Sequence, residues 1–349
     1  MTRYYDAFTG QPMLAAPENA WRLGDRESEA WLVGPAFFDP QVNGFGGVDF
    51  QQPGLTRDGL EHATRELQTH GCSHYLLTLI TAPSEQLEAQ FRRIAEWLAE
   101  SALLQEAVAG FHLEGPFLSA EPGFIGAHPA EHALEPNWPL FERWQQAAGG
   151  RIRLVTVAAE LPGCAEFIRR ASQSGVLVSL GHTNASLEDL DHAHQAGARM
   201  ITHLGNGLPA NQHRHDNLIQ RVLGRPGYVV SLIPDGIHVP PPALGNLTQG
   251  LGWGRLVLTT DAISAAAAPP GRYTLGTLEV EVGADGMVRL PGTQQFAGSS
   301  LTPAQGFYHV VRMGGLSADR AWRAWTWMRA WVAPDIAPPL MMLPWPVCS

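Results

Sequence analysis

The sequence has no lysine: every one of its 23 basic residues is arginine. That excludes Schiff-base catalysis, pyridoxal-phosphate attachment, a P-loop lysine and a carbamylated lysine bridging two metals. Cysteine is scarce. Cys72, Cys164 and Cys348 stand far apart with no CxxC pair, which argues against a disulfide framework or a zinc finger and suits a reducing cytoplasm. Charged residues make up only 16% of the chain, and the net charge of −10 argues against a general nucleic-acid binder. One or two local cations could still hold a single phosphate. No apolar run reaches the ~18 residues of a membrane span. The opening MTRYYDAFTG lacks the basic and apolar regions of a signal peptide. The expectation is a soluble cytoplasmic protein without nucleic-acid or membrane partners.

What is present is enough for a large core: 349 residues, 45% of them hydrophobic. Short β-like runs at 32–38, 74–81, 107–112, 151–157, 176–180, 199–202, 228–233 and 255–260 are mostly rich in Val, Leu, Ile or Phe. Such runs read as strands buried on both faces. Between them lie amphipathic stretches. Residues 56–70 place Leu60, Ala63 and Leu67 on one stripe, 84–100 place Leu87, Phe91, Ile94 and Leu98 on another, and 186–195 start with a capping serine. Eight strands with mostly helical connections suggest a (β/α)8 TIM-like barrel; a doubly wound sheet is the alternative.

The expected layout is a short N-terminal β segment over 1–33, a barrel over 34–333 and an irregular, proline-rich tail over 334–349. A hairpin insertion near 271–292 has alternation over 274–282, a turn at 283–286 and a return over 287–290. The tryptophans Trp322, Trp325, Trp327 and Trp331 have helical spacing, which favours packing over carbohydrate stacking.

Polar residues collect where the strands end. The first supplies Asp39, Gln41 and Asn43, the third Glu114, the fifth His182, the sixth His203, the seventh Asp235 and His238, and the eighth Asp261. In a barrel these ends share one rim, whereas a doubly wound sheet would not gather them around one point. Two imidazoles and a carboxylate, His182, His203 and Glu114, match the ligand count of a catalytic metal site with one position free. A histidine at a strand end can equally be a hydrogen-bonded core residue. Asp261 follows the apolar RLVLTT, where a carboxylate is desolvated enough to act as a general base. It could instead be a helix cap or turn residue.

The segments HLEGPF, GHTNAS, THLGNG, DGIHV, TTDA and AGSSLT, in this order and with 21 residues from His182 to His203, resemble the N-acetylglucosamine-6-phosphate deacetylases of the amidohydrolase superfamily. The resemblance runs from about residue 34 to residue 302. It implies a (β/α)8 metal-dependent hydrolase with a small β appendage built from both chain ends, here reduced. It implies that Glu114, His182 and His203 are metal ligands. Asp261 would take a proton from the metal-activated water and deliver it to the leaving amine, and His128 would polarise the acetyl carbonyl. By the same resemblance His238 contacts substrate, Ala127, Asn206 and Gly207 line the sugar pocket, and Phe296, Ala297 and Gly298 form a loop closing over it. Arg214, 11 residues after His203, corresponds to an arginine on the substrate phosphate that often reaches across a dimer interface. A homodimer follows as an expectation.

Two departures stand out. The superfamily's usual HxH after the first strand is here Gln41-Val42-Asn43. Amides are weak metal ligands, so one divalent metal per chain is expected; Zn²⁺ suits the set, and Fe²⁺, Mn²⁺ or Co²⁺ would also bind. The phosphate segment reads Gln212-His213-Arg214-His215-Asp216-Asn217, so Arg214 could instead pair with Asp216. The leading expectation is deacetylation of N-acetylglucosamine 6-phosphate to glucosamine 6-phosphate and acetate. The alternatives are an amidohydrolase for an unphosphorylated N-acyl amino sugar or other N-acyl or cyclic amide, and a non-catalytic sugar-binding barrel.

Overall fold

A computed structural model of the chain describes residues 2–24, 28–293 and 296–345. Eight parallel strands pair in strict chain order. They are β1 (Phe37–Val42), β2 (Cys72–Ile80), β3 (Val108–Glu114), β4 (Ile152–Val157), β5 (Leu177–Leu180), β6 (Met200–Ile201), β7 (Val229–Leu232) and β8 (Leu256–Leu258). Sequential parallel pairing curls this sheet into a barrel, and helices follow the strands, as the alternation of apolar runs requires. The helix Ser84–Glu100 has the expected bounds. Arg57–Thr69 starts behind Thr56, which accepts from Gly59 N, and buries Leu60, Ala63 and Leu67. Leu187–Ala196 starts with a reciprocal Ser186–Asp189 capping box. Such caps contribute ~1 kcal/mol each.

The barrel interior is layered. Phe38, Leu76, Leu154, Met200, Val229 and Val257 form a dry plug closed from below by Met328 and Val332. Above it lies a layer of hydroxyls and one imidazole. His112 Nε2 is 2.8 Å from Thr156 Oγ1, which is 2.8 Å from Thr202 Oγ1, which is 2.6 Å from Ser179 Oγ. Each buried polar atom here has a partner in the same layer, so polarity is tolerated at the centre of the barrel.

β1 and β8 share no ladder. The seam closes through a bridge from Val42 to Ala262, with Asn43 N donating to Ala262 O at 2.7 Å. Asp39 adds a side-chain tie. Its carboxylate accepts from Thr259 Oγ1 at 2.6 Å, Thr260 Oγ1 at 2.6 Å and Thr260 N at 3.0 Å. Burial pushes its pKa up to about 6 against these hydrogen bonds.

Three expectations need correction. The run 32–38 is not one strand. Ala30–Pro35 belongs to a second sheet, and β1 begins at Phe37. Pro35 ends the first piece, and both pieces are buried, so hydropathy carries no mark of the break. The tail is not irregular either. Leu340–Pro344 pairs antiparallel with Ala30–Pro35 and buries Met341 and Leu343; Cys348 lies outside the described residues. The appendage is a five-stranded sheet in the order Pro12–Met13, Arg3–Asp6, Ala30–Pro35, Leu340–Pro344, Trp21–Arg22. Finally, 274–282 is two strands. Gly271–Leu275 and Leu278–Val282 are joined by a tight turn with Gly276 at φ 60°, and Val288–Arg289 adds a third. This small sheet packs Leu275, Val280, Val282 and Val288 on Ile80, Ile263 and Ala297.

Trp322 and Trp325 are fully buried against Phe37, at ring distances of 5.1 and 5.5 Å. Trp327 donates to Leu256 O and meets Trp331 edge-on. None of the four lines the cavity at the strand ends described below.

Candidate active site

Glu114 ends β3, and His182, His203 and Asp261 stand two, two and three residues past the ends of β5, β6 and β8. Four described non-glycine residues have a positive φ, and three of them are His182 (51°), His203 (30°) and Asp261 (50°). Left-handed backbone at such residues costs of order 1–3 kcal/mol each and persists only where the surroundings impose it. Here the strand above each residue aims it at the rim, and Ser231 Oγ accepts the His203 amide at 2.8 Å.

Glu114 is buried among three imidazoles. His203 Nε2 is 2.8 Å from its Oε1, His182 Nε2 3.4 Å from the same oxygen, and His128 Nε2 3.6 Å from Oε2. Burial pushes the Glu114 pKa up, but contacts with His128, His182 and His203 outweigh it and hold the carboxyl well below its ordinary range. His203 is the converse. Burial opposes its charge, yet Glu114 raises its pKa. Burial and the neighbouring His128 push His182 down to about 4.

By distance alone, Glu114, His128 and His182 could hold a metal ion, with ligand atoms within 4.8 Å of one another. The hydrogen bonds separate the two imidazoles. His182 Nδ1 faces the Phe124 carbonyl at 2.8 Å and must donate to it, which leaves the Nε2 lone pair towards Glu114. His128 Nδ1 takes the Thr81 amide N–H at 3.4 Å, so Nε2 carries its hydrogen. His182 is thus disposed as a ligand and His128 as a donor. His203 Nδ1 is buried with no partner among the described residues.

Asp261 is neither a helix cap nor a turn residue. Its Oδ1 accepts from Gln41 Nε2 at 3.0 Å and Asn43 Nδ2 at 2.7 Å. Burial, with a smaller contribution from the Glu114 charge, pushes its pKa up to about 7; His203, His238 and Asn43 pull the other way. His238 Nδ1 is 2.6 Å from Asp235 Oδ2, and its ring lies 5.0 Å from Phe296.

These groups open into a cavity of about 490 Å³, the size range of small-ligand sites. Of the expected pocket residues, Ala127, Asn206, Gly207, His238, Phe296 and Gly298 line it. Gly207 has φ 61°, and a Cβ there would come within 2.6 Å of His182 Nδ1, so glycine is required. Ala297 does not line the cavity; it is buried in the apolar cluster of the small sheet. Arg214 does not line it either. It is exposed, and Asp216 pairs with Arg221 instead of Arg214. The cavity has no arginine among its described lining residues. Sequence reasoning missed Ile80 and Leu275 of the wall, Thr81 and the Phe124 carbonyl that set the imidazole tautomers, and the amide clamp on Asp261. Only the alternation of 274–282 hinted at Leu275.

No protein-family model matches the chain. It is 34% identical over 278 residues to the N-acetylglucosamine-6-phosphate deacetylase of Bacillus subtilis (strain 168), covering 79% of this chain and 69% of that protein. It is 35% identical over 309 residues to the N-acetylglucosamine-6-phosphate deacetylase of Bos taurus, covering 86% and 74%. A solved structure of a point mutant of N-acetyl-D-glucosamine-6-phosphate deacetylase from Mycobacterium smegmatis, in complex with N-acetyl-D-glucosamine-6-phosphate, superposes with a TM-score of 0.81. The sequence identity is 31%, and the match covers 90% of this chain and 83% of that one.

Proposed function

From the premise that this chain belongs to the N-acetylglucosamine-6-phosphate deacetylase family, we propose that it hydrolyses the acetamide of N-acetylglucosamine 6-phosphate to glucosamine 6-phosphate and acetate. The observation that carries this reading is the juxtaposition on one cavity of a half-buried Asp261 and the buried Glu114–imidazole cluster.

The buried Glu114, with His182 offering its Nε2 lone pair and His203 Nε2 beside the same carboxylate oxygen, fits a divalent cation. We assign Glu114, His182 and His203 as its ligands. One ion per subunit, Zn²⁺ by donor type, accounts for the set; Fe²⁺, Mn²⁺ and Co²⁺ accept the same donors. When bound, such a cation is a Lewis acid that polarises a carbonyl and lowers the pKa of water towards ~7.

The chain's own groups do the rest. His128 Nε2–H is available to donate to the acyl oxygen. Burial raises the pKa of Asp261, which suits a carboxylate that must both take up and give back a proton. It takes one from the attacking water as the new C–O bond forms, then delivers it to nitrogen as the C–N bond breaks. His238, oriented by Asp235, and Ala127, Asn206, Gly207, Phe296 and Gly298 shape the sugar site. Arg214, on the exposed continuation of the rim segment 205–210, is assigned to the substrate phosphate. A homodimer is the arrangement in which this arginine reaches a neighbouring subunit's cavity. The scattered cysteines, two of them buried, suit the cytoplasm, and no described helix is long and apolar enough to cross a membrane.

Amine release from N-acetylglucosamine 6-phosphate and from N-acetylglucosamine, with Zn²⁺ present, tests the reading. Turnover of the phosphate form is expected to fall by ~10²–10⁴-fold in Asp261→Asn, with ligand still bound. Silence on both substrates, or full activity in Asp261→Asn, would remove it.

A further inference from the structure

Asp261 is held by another strand. Both amides of the Gln41-Val42-Asn43 segment donate to Oδ1, which engages that oxygen and leaves Oδ2 for proton transfer. Neither donor is loose. Gln41 and Asn43 are each 2% exposed. The Gln41 amide N–H is held by Asp39, and the Asn43 amide N–H by Ala262 O. Asp39 also grips Thr259 and Thr260, the two residues that precede Asp261. Donors and acceptor therefore sit on the two sides of one tied seam.

Asn43 has a second functional end. Its Oδ1 is buried without a partner among the described residues, and the residue lines the cavity. The amide cannot be turned round. An ionised Asp261 only accepts, so Nδ2 must face it and Oδ1 must face elsewhere. An unpartnered buried carbonyl oxygen beside the proton carrier is suited to receive an O–H from a small molecule there.

We propose that Asn43 is a positioning residue for the hydrolysis, holding Asp261 through its N–H and the attacking water through its carbonyl oxygen. One O–H of the water donates to Asn43 Oδ1, which points the other at Asp261 Oδ2. That second proton passes to Oδ2 as the oxygen bonds to the acyl carbon, and from Oδ2 to nitrogen as the C–N bond breaks. Asn43 gains and loses no proton. This rests on the reading of Asp261 as the proton carrier, and it gives the amide pair a task besides failing to bind a second metal.

The test measures kcat, KM and metal content by elemental analysis for Asn43→Leu, Asn43→Asp, Gln41→Leu, Asp261→Asn and the double variant Asn43→Leu/Asp261→Asn. Asn43→Leu should lower kcat by ~10²-fold, the scale of a misplaced reacting group, with KM within twofold and metal unchanged. Asn43→Asp, which keeps an acceptor but loses the donor to Asp261, should fall by a comparable factor. Gln41→Leu should fall less, because it contributes only to the clamp. In the Asp261→Asn background, Asn43→Leu should cost less than twofold more. Parallel loss in kcat and KM, loss of metal, or full additivity with Asp261→Asn would overturn the proposal. If the double variant falls below detection, the kcat–KM split of the single variants decides. Failure of the parent reading is separate and visible: Asp261→Asn would then retain turnover.

Discussion

His203 Nε2 lies 2.8 Å from Glu114 Oε1, the same oxygen that His182 Nε2 approaches at 3.4 Å. One carboxylate thus supplies the negative charge against which the imidazoles are arranged. Glu114→Gln keeps the shape and removes that charge. Affinity for Zn²⁺, measured by equilibrium dialysis, should fall by more than the ~10–100-fold that loss of an outer-shell partner costs. Unchanged affinity would show that the imidazoles bind metal without Glu114.

Arg214 is exposed and outside the cavity of its own subunit. Charge-assisted hydrogen bonds contribute ~1.5–3 kcal/mol, so Arg214→Ala should raise KM for N-acetylglucosamine 6-phosphate by ~10–100-fold. KM for N-acetylglucosamine should stay unchanged. Equal effects on both substrates would take the phosphate role from Arg214. Light scattering shows whether a dimer exists to deliver it.

His74 is buried on β2, where burial, with help from the Arg329 charge, pushes its pKa down to about 4. An unfolded histidine titrates near 6.5. Above that pH both states are neutral and the stability is fully present. As pH falls from about 6.5 through 4, the unfolded chain takes up the proton first, and up to ~3 kcal/mol is lost. In denaturant titrations from pH 7 to pH 4.5, His74→Gln should lose stability less steeply than the wild type. Parallel curves would mean that His74 is not the acid-sensitive group.

Met341 is fully buried in the five-stranded sheet. Met341→Ala should cost ~2–5 kcal/mol in chemical denaturation, the range for large-to-small core substitutions. A change near zero would mean that the terminal strand carries little of the fold.

Much of the site was legible because barrel chemistry sits at strand ends, and apolar runs mark those ends. Glu114, His182, His203, Asp235, His238 and Asp261 could be read this way. What lay hidden depends on contacts distant in sequence. The amides of Gln41 and Asn43 meet Asp261 across more than 200 residues, and no local pattern records that pairing. The division at Ala36 was invisible because both sides are equally apolar. The strand Leu340–Pro344 was invisible because prolines surround it, so that it reads as a breaker-rich tail. Ala297 was placed by resemblance of position, and position in a loop does not determine which way a side chain faces.

Ala30–Pro35 pairs on one edge with Arg3–Asp6 and on the other with Leu340–Pro344. On the ribosome these partners emerge more than 300 residues apart. The first pair can form as soon as it leaves the tunnel, but the other edge must wait for some 300 more residues, roughly 15–60 s at ~5–20 residues per second. Throughout that interval a strand that is buried in the finished protein presents an unpaired edge next to the first barrel strand. Closure of this sheet therefore waits for the strand that begins at residue 340, and a product that stops before it leaves the nascent sheet open to any other strand that can pair with it.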